Sequence, residues 1–554
     1  RLSGPLLRRL RLTLSRPPGA RPGPAFPPGN LVVPSRQAAL AYGILAGMVD
    51  VPVTGDGGAD DWRPLLDDLE DRRRTARSMG GSEKLARRRD SGSLDARARI
   101  GHLLDPGSFV ELGTLVGRVP ADGLVAGSGE IEGRPVMVGA EDFTVLGGSI
   151  GAGSSAKRFR ISELAELDRI PLVMLLEGAG HRPPLPDEPE PGRAPTDLIQ
   201  QARLSGRVPL VTGVLGASAG HGALVAPMSD FSVMTLDASI FTAGPPVVKA
   251  SLGEEVSTRD LGGPEVAVAS GLIHNVAADD RSALDDLRTY LSYFPSSAWS
   301  HPPRREGGDT GPRRLDELLD IVPRDSSMAY DVRGVVSALV DDGRFFQVQP
   351  GFGDSMVCAL AHLGGEPVAV VANQPQVLAG AIDVDAAEKA AHFVTVADSF
   401  HLPLVFLTDN PGMLAGAASE RAGILRAGAR MFAAQTQART VKLQVALRKA
   451  YGFGSLAMSM VSFDSQTASY ALPGVTLGAM GSRGAADAVG ADAGTAEALR
   501  EAEVRAVYRS AGRLGFDEVI DPRDLRNVLL AGLGRGLSRR QVAPEPAARV
   551  AITP

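Results

Sequence analysis

Residues 133–180 read GRPVMVGAEDFTVLGGSIGAGSSAKRFRISELAELDRIPLVMLLEGAG, and residues 365–412 read GEPVAVVANQPQVLAGAIDVDAAEKAAHFVTVADSFHLPLVFLTDNPG. At a constant offset of 232 the two stretches share 16 of 48 positions, where chance matching at this composition gives about four. The shared positions include Pro135/Pro367, Val136/Val368, Leu146/Leu378, Gly148/Gly380, Lys157/Lys389, Pro171/Pro403, Leu172/Leu404 and Gly180/Gly412. Upstream, Leu103–Phe109 resembles Leu339–Phe345 at nearly the same spacing. A period this long excludes a solenoid and implies one domain used twice.

Each copy has the same local pattern. Pro135–Gly139 and Pro367–Val371 are apolar runs of strand length. Ser154–Asp168 and Ala386–Phe400 have helical length, and Ala390, Phe393, Val394 and Ala397 follow i, i+3, i+4, i+7 spacing. Pro171–Leu176 and Pro403–Leu407 are continuous apolar runs suited to strands buried on both faces. Alternating strands and helices predict an α/β fold with a mainly parallel sheet in each of two tandem domains.

Working outward, the chain of 554 residues with 44% hydrophobic content has ample material for two cores. No run of eighteen apolar residues is present, which argues against a spanning helix. A net charge of −6 gives no support for nucleic-acid binding. The lone Cys358 excludes a disulfide framework and a zinc site needing two or more cysteines of this chain; within the apolar run Met356–Leu360 it reads as core. No metal site is expected. Seven arginines precede the first acidic residue, Asp50. Such a start resembles a mitochondrial transit peptide, but 52 Arg against 6 Lys points to a GC-rich genome and an upstream start site. The expected location is cytoplasmic, with the mitochondrial matrix as the alternative if the leader is genuine. Ser300–Arg314, with three prolines and three glycines counted from Pro302 to Pro312, reads as a linker.

The 65 glycines, about 12% of the chain, exceed the usual ~7% and sit at the ends of apolar runs. Past the third apolar strand of each copy lies a glycine pair, Gly220-His221-Gly222 and Gly452-Phe453-Gly454, again 232 residues apart. Such a turn either merely reverses the chain or aims successive backbone N–H groups into a cleft, where they suit a carbonyl oxygen that gains negative charge. There is no Gly-x-Ser-x-Gly elbow, no His-Glu-x-x-His and no P-loop. His221 reads either as an acid or base or as a residue whose amide matters.

Several stretches carry a family resemblance: Leu94–Ile100 with Leu103–Leu112, Asp142–Ser149, Tyr330–Arg333, Ala372–Pro375, Asp409–Gly412, Arg448–Gly452 and Val519–Arg523. Over about residues 80–535 the sequence resembles the carboxyltransferase (β) subunits of biotin-dependent acyl-CoA carboxylases, the propionyl-, acetyl- and methylcrotonyl-CoA group. The resemblance implies a tandem pair of crotonase-like domains. It implies transfer of a carboxyl group from carboxybiotin, borne on a separate biotin carboxylase/biotin carrier (α) subunit, to the α carbon of an acyl-CoA through an enolate. It implies that the amides of Gly220 and His221 hold the thioester oxygen and those of Gly452 and Phe453 the biotin oxygen, with Gly147, Gly148, Gly222, Gly454 and Leu456 contacting substrate. It also implies a homohexamer in which two subunits share each site. The expected organisation is a poorly ordered leader (1–75), an acyl-CoA-side domain (76–299), a linker (300–329), a biotin-side domain (330–535) and a tail (536–554).

Departures from the family pattern are concentrated at the loops. The family usually has Gly-Gly at Gly220-His221 and Gly-Gly-Ala at Gly452–Gly454, and Ser-Gly-Gly-Ala-Arg where this chain has Glu177-Gly-Ala-Gly-His-Arg182. They keep two alternatives open: a biotin-dependent acyl-CoA decarboxylase subunit, or a non-catalytic subunit of a carboxylase assembly. No biotin attachment sequence of the Met-Lys-Met type is present.

Overall fold

The structure, a computed structural model, describes residues 59–182, 196–460, 464–540, 543 and 545–546. Most of the leader, residues 1–58, and most of the tail lie outside the described residues; a helix, Ala59–Arg77, occupies the leader's end.

The first sheet is built from β1 (Val110–Leu112), β2 (Leu124–Ile131), β3 (Arg134–Glu141), β4 (Leu172–Leu176) and β5 (Leu210–Val214). After β6 (Ala217–Ala219) come β7 (Phe231–Thr235), β8 (Ser239–Phe241) and β9 (Asn275–Ala277). The order across the sheet is β1-β2-β3-β4-β5-β7-β9, with β6 and β8 forming a separate parallel ribbon. The second half repeats this with β10 (Phe345–Val348), β11 (Met356–Leu363), β12 (Glu366–Asn373), β13 (Leu404–Asn410), β14 (Lys442–Tyr451), β15 (Ala468–Ala471), β16 (Thr476–Gly478) and β17 (Glu518–Val519). Its order is β10-β11-β12-β13-β14-β15-β17, with β16 against the end of β14.

The repeat extends to the register. Met137 pairs with Leu172 as Ala369 pairs with Leu404, and Leu172 pairs with Leu210 as Leu404 pairs with Lys442. Both sheets are mixed: the first three strands are antiparallel and the rest parallel. The antiparallel part follows from two-residue hairpins, Glu132-Gly133 and Gly364-Gly365, whose residues all have positive φ, as tight turns of the right twist require.

The parallel strands are buried end to end, β4, β5 and β13 without an exposed residue, because helices cover them. Helix Val384–Ser399 starts at Asp383, whose carboxylate accepts from Ala386 N at 2.9 Å. Its apolar stripe, including Ala390, Phe393, Val394 and Ala397, is buried. Each large apolar side chain so covered contributes about 1.5–3 kcal/mol. The equivalent helix Ala152–Asp168 buries Ile161 and Ala165 together with Lys157, Arg158 and Ser162. Lys157 donates to the carbonyls of Ala121 (3.0 Å) and Leu124, and Lys389 to those of Gln349 (3.1 Å) and Phe352 (2.5 Å). Burial pushes the Lys157 amine down to about 8.

The two halves meet along an apolar seam. Phe294 meets Phe400 edge-on at 5.7 Å, Phe231 meets Phe346 at 5.5 Å, and His274 lies 5.1 Å from His392. Asn275 spans the seam with both amide atoms, donating to Gln347 O at 3.0 Å and accepting from Gln349 N at 3.0 Å. Cys358 is core, and burial raises its thiol to about 12.

Candidate active site

In each copy three loops stack at the C-terminal end of the parallel strands. In the first they are the turn Leu146–Gly148, the segment 177–182 after β4, and the helix Gly220–Ala223 after β6. Ala179 N donates to Gly147 O (3.0 Å), Ala219 N to Gly178 O (2.9 Å), and Ile150 bridges His181. In the second they are Leu378–Gly380, the end of β13 running into Gly412, and the helix Gly452–Ala457; Ile382 bridges Met413.

The close approaches explain the glycines. A Cβ on Gly148 would lie 2.3 Å from Glu177 O, and one on Gly380 2.3 Å from Asp409 O. Gly222 would press on Glu141 (3.0 Å), and Gly454 on Asn410 (2.5 Å). Gly147 has φ +64°, and a Cβ there would make only an ordinary contact with Ala179 at 3.8 Å. Gly220 and Gly452 have φ of +60° and +55°, a conformation that penalises any Cβ. His221 and Phe453 do not take positive φ, so side chains at these positions are compatible with the turn. As the first two helical residues, Gly220 with His221 and Gly452 with Phe453 have N–H groups without intrahelical acceptors.

Facing each loop is a strand-end glycine. A Cβ on Gly180 would come 3.1 Å from Ala219 O, and one on Gly412 3.7 Å from Tyr451 O. The slots are of backbone width, and a pair of N–H groups there fits an uncharged carbonyl oxygen that acquires charge.

The side chains around the two loops differ. His221 Nε2 lies 2.6 Å from Asp197 Oδ1, and its ring meets His181 edge-on at 4.6 Å. Asp197 Oδ2 accepts from Arg158 at 3.3 Å, and Arg158 also pairs with Glu141. Burial works to raise the Asp197 carboxyl, but the His221 hydrogen bond and the Arg158 charge overcome it and hold it below the ordinary range. Burial pushes His181 down, with help from His221. Phe453 instead packs beside Phe432, ring centroids 5.5 Å apart, on helix Ile424–Gln437. Leu456 is 37% exposed, and its carbonyl accepts from Gln435 at 3.3 Å.

Beneath the loops lie buried carboxylates at equivalent strand ends. Glu177 is held by Arg88 (2.8 Å) and Arg99 (2.5 Å), the latter also bonded to Asp280 at 2.9 Å. Asp409 is held by Arg448 (3.0 Å) and Tyr330 (3.0 Å), with Lys449 at 3.7 Å.

The residues expected from the sequence therefore gather as two clusters, Gly147, Gly148, Gly220, His221 and Gly222 in one and Gly452, Phe453, Gly454 and Leu456 in the other. Among the described residues no hydrogen bond, ion pair or ring contact joins Gly220 or His221 to Gly452 or Phe453. Sequence reasoning missed Asp197, Arg158 and Glu141. They sit on three separate elements, β3, the helix Ala152–Asp168 and the helix Asp197–Leu204, and no local sequence pattern joins them. Among the described residues no group of three metal-ligating side chains occurs, and no helix is long and apolar enough to cross a membrane.

Comparison with known proteins agrees with this geometry. The methylmalonyl-CoA carboxyltransferase 12S subunit of Propionibacterium freudenreichii subsp. shermanii is 37% identical over 507 residues, covering 86% of this chain and 95% of that protein. The propionyl-CoA carboxylase carboxyltransferase subunit of Haloferax mediterranei is 35% identical, covering 87% and 97%. The crystal structure of transcarboxylase 12S, a hexamer assembly with methylmalonyl-coenzyme A and methylmalonic acid bound, superposes with a TM-score of 0.81 at 35% identity, covering 89% of this chain and 99% of that one. Residues 87–549 match the carboxyl transferase domain, and the chain belongs to the carboxyl transferase domain family, with the tandem crotonase-like α/β fold.

Proposed function

We propose that the chain is the carboxyltransferase subunit of a biotin-dependent acyl-CoA carboxylase, acting in the cytoplasm on a short-chain acyl-CoA. The observation that carries the reading is the pair of equivalent amide loops, each opening a helix with a left-handed glycine at φ +60° or +55°. Carboxybiotin, borne on a partner subunit, supplies the carboxyl group. The first loop binds the acyl-CoA thioester, and the N–H groups of Gly220 and His221 stabilise the oxygen of its enolate. The second loop binds the biotin carbonyl through the N–H groups of Gly452 and Phe453. Pre-aimed donors of this kind need no reorganisation as charge develops, and each is worth about 3–4 kcal/mol of barrier. The buried pairs around Glu177 and Asp409 fix the strand ends from which the loops spring. Gly147, Gly148, Gly222, Gly454 and Leu456 line the approaches.

The side chains that depart from the family pattern support a catalytic rather than a scaffolding role: His221 is engaged with Asp197 and His181, and Phe453 with Phe432. Because the two loops make no contact within one chain, we assign each complete site to two subunits of a homohexamer, an acyl-CoA half from one and a biotin half from the other. The test is transfer of labelled carboxyl from a carboxylated biotin carrier to a panel of acyl-CoAs. Transfer to at least one supports the reading, and no transfer to any overturns it.

A further inference from the structure

The first amide loop carries a charged tie at its second residue, His221, that the second loop, with Phe453 there, lacks. Starting at the loop, His221 Nε2 meets Asp197 Oδ1 at 2.6 Å, and the Asp197 side chain is only 1% exposed. The other Asp197 oxygen meets Arg158 Nη1 at 3.3 Å, and Arg158 pairs with Glu141. Glu141 returns to the loop: its second oxygen accepts from Glu177 N at 2.7 Å, and its first lies where a Cβ on Gly222 would approach to 3.0 Å. The chain of charges thus grips residue 221 by its side chain and underlies residue 222. It draws on the end of β3, the helix Ala152–Asp168, the helix Asp197–Leu204 and the loop itself.

At the offset of 232 the second copy has Phe453, Ala390 and Asn373 where the first has His221, Arg158 and Glu141. Its loop keeps the same turn, with Gly452 at φ +55°. The backbone fold therefore stands without the charged chain, and the chain's presence under one loop alone needs a separate reason. Buried ions are costly unless well paired, but a hydrogen bond to a fixed carboxylate sets direction as apolar packing does not.

We propose that Asp197 is a positioning residue for the acyl-CoA-side amide loop, orienting it through the His221 imidazole. This rests on the carboxyltransferase reading above and adds to it a group that never touches substrate. The titratable and charged groups facing His221 are His181 at a ring distance of 4.6 Å, Asp197, and behind it Arg158 and Glu141. Asp197, held below the ordinary carboxylate range, stays ionised through neutral pH, so the hydrogen bond it accepts is charge-assisted.

The test compares D197A, D197N and H221Q with the wild-type chain by amide hydrogen exchange and by carboxyl-transfer kinetics. In D197A, exchange rises at residues 220–223 and not at 452–455. Its kcat falls about tenfold, the effect of one charged hydrogen bond, while KM for the carboxylated carrier stays unchanged. D197N, which still offers an oxygen to Nε2, recovers most of the kcat, and combining D197A with H221Q is no worse than D197A alone. Unaltered exchange and kcat in D197A overturn the proposal, as does faster exchange at both loops alike, which marks general loosening. Should D197A fail to fold, D197N decides: a partial fall in kcat with exchange raised at residues 220–223 and not at 452–455 supports the tie, and exchange and kcat both equal to wild type overturn it. If the wild type transfers no carboxyl group, the function reading falls, while the exchange comparison still judges the tie.

Discussion

The two copies keep one backbone and differ in how they neutralise it. At the end of β4 stands Glu177, and at the equivalent end of β13 stands the shorter Asp409. Across from them, on the neighbouring strand path, stand Gly216 and Arg448, again 232 apart. A Cβ on Gly216 would come 2.4 Å from Glu177 Cγ, so the longer acid needs the glycine. The shorter acid leaves room for Arg448, which meets it at 3.0 Å and lies over the Tyr330 ring at 4.9 Å. In the first copy the cations come instead from helices Ser82–Asp90 and Ala96–Leu103, through Arg88 and Arg99. A duplicated fold preserves hydrogen-bond register because every residue of a strand shares it. Charge pairing is local, and each copy found its own volume-compensated solution.

The sharpest way to break this contrast is to remove the acids. Asp409→Ala leaves the buried Arg448 and Lys449 with backbone carbonyls as acceptors but without the carboxylate that balances them, and removing one partner of a buried pair costs about 3–5 kcal/mol. Glu177→Ala costs less, because Arg99 retains Asp280 at 2.9 Å. Denaturant unfolding of both variants checks this, and equal losses would remove the asymmetry.

Next come the loop glycines. Gly452→Ala brings a Cβ to 2.9 Å from Ala479 O, whereas Gly220→Ala meets nothing nearer than 3.6 Å. Carboxyl transfer falls about 100–1,000-fold in Gly452→Ala, the effect of losing one donor, and by less in Gly220→Ala. Steady-state kcat of the two variants measures the difference.

A pH limb belongs to the first copy alone. Asp230, just before β7, is fully buried with a single amide donor, Leu210 N at 2.8 Å, and burial raises its carboxyl to about 7. A raised carboxyl favours the protonated form in the folded state, so its stabilising effect is complete below about 4 and is lost as pH climbs to about 7. The drop is on the order of 4 kcal/mol. Thr467 takes the corresponding place before β15, its N–H bonding Lys442 O at 2.8 Å as Asp230 N bonds Leu210 O at 2.8 Å. Melting curves of Asp230→Asn between pH 4 and 8 lose this slope.

The smallest effect tests likeness rather than difference. Lys157→Met and Lys389→Met each strip two backbone carbonyls of their donor, costing about 1–2 kcal/mol, by similar amounts in both copies. Thermal melts that separate the two by several degrees would show that the repeated lysines have diverged in use.

What was legible in the sequence follows from this division. The apolar runs Pro135–Gly139 and Pro403–Leu407, the helix around Ala390 and Phe393, and the paired glycine loops all depend on neighbours in sequence or on the repeat. They reappear in β3, β13, the helix Val384–Ser399 and the turns at Gly220 and Gly452. The mixed character of the sheets was hidden in hairpins whose Glu132-Gly133 and Gly364-Gly365 turns are short and of low contrast. The tie from His221 to Asp197 was hidden for another reason: its members are brought together only by packing, and an aspartate at a helix start looks like an ordinary cap. Arg88 and Arg99 likewise come from two separate helices and meet at Glu177 only through the fold.

The turn itself has a further consequence. Its first position is steered by stereochemistry, because a left-handed φ favours glycine over every residue with a Cβ. Its second position has ordinary torsions, so His221 and Phe453 can stand where glycine would also fit. Each loop is thus a two-letter word with one letter fixed and one free. A lineage can write an imidazole, a phenyl ring or nothing at that position without moving the amides of the turn. Side-chain size and polarity can drift at residues 221 and 453 while the backbone of each turn is inherited unchanged.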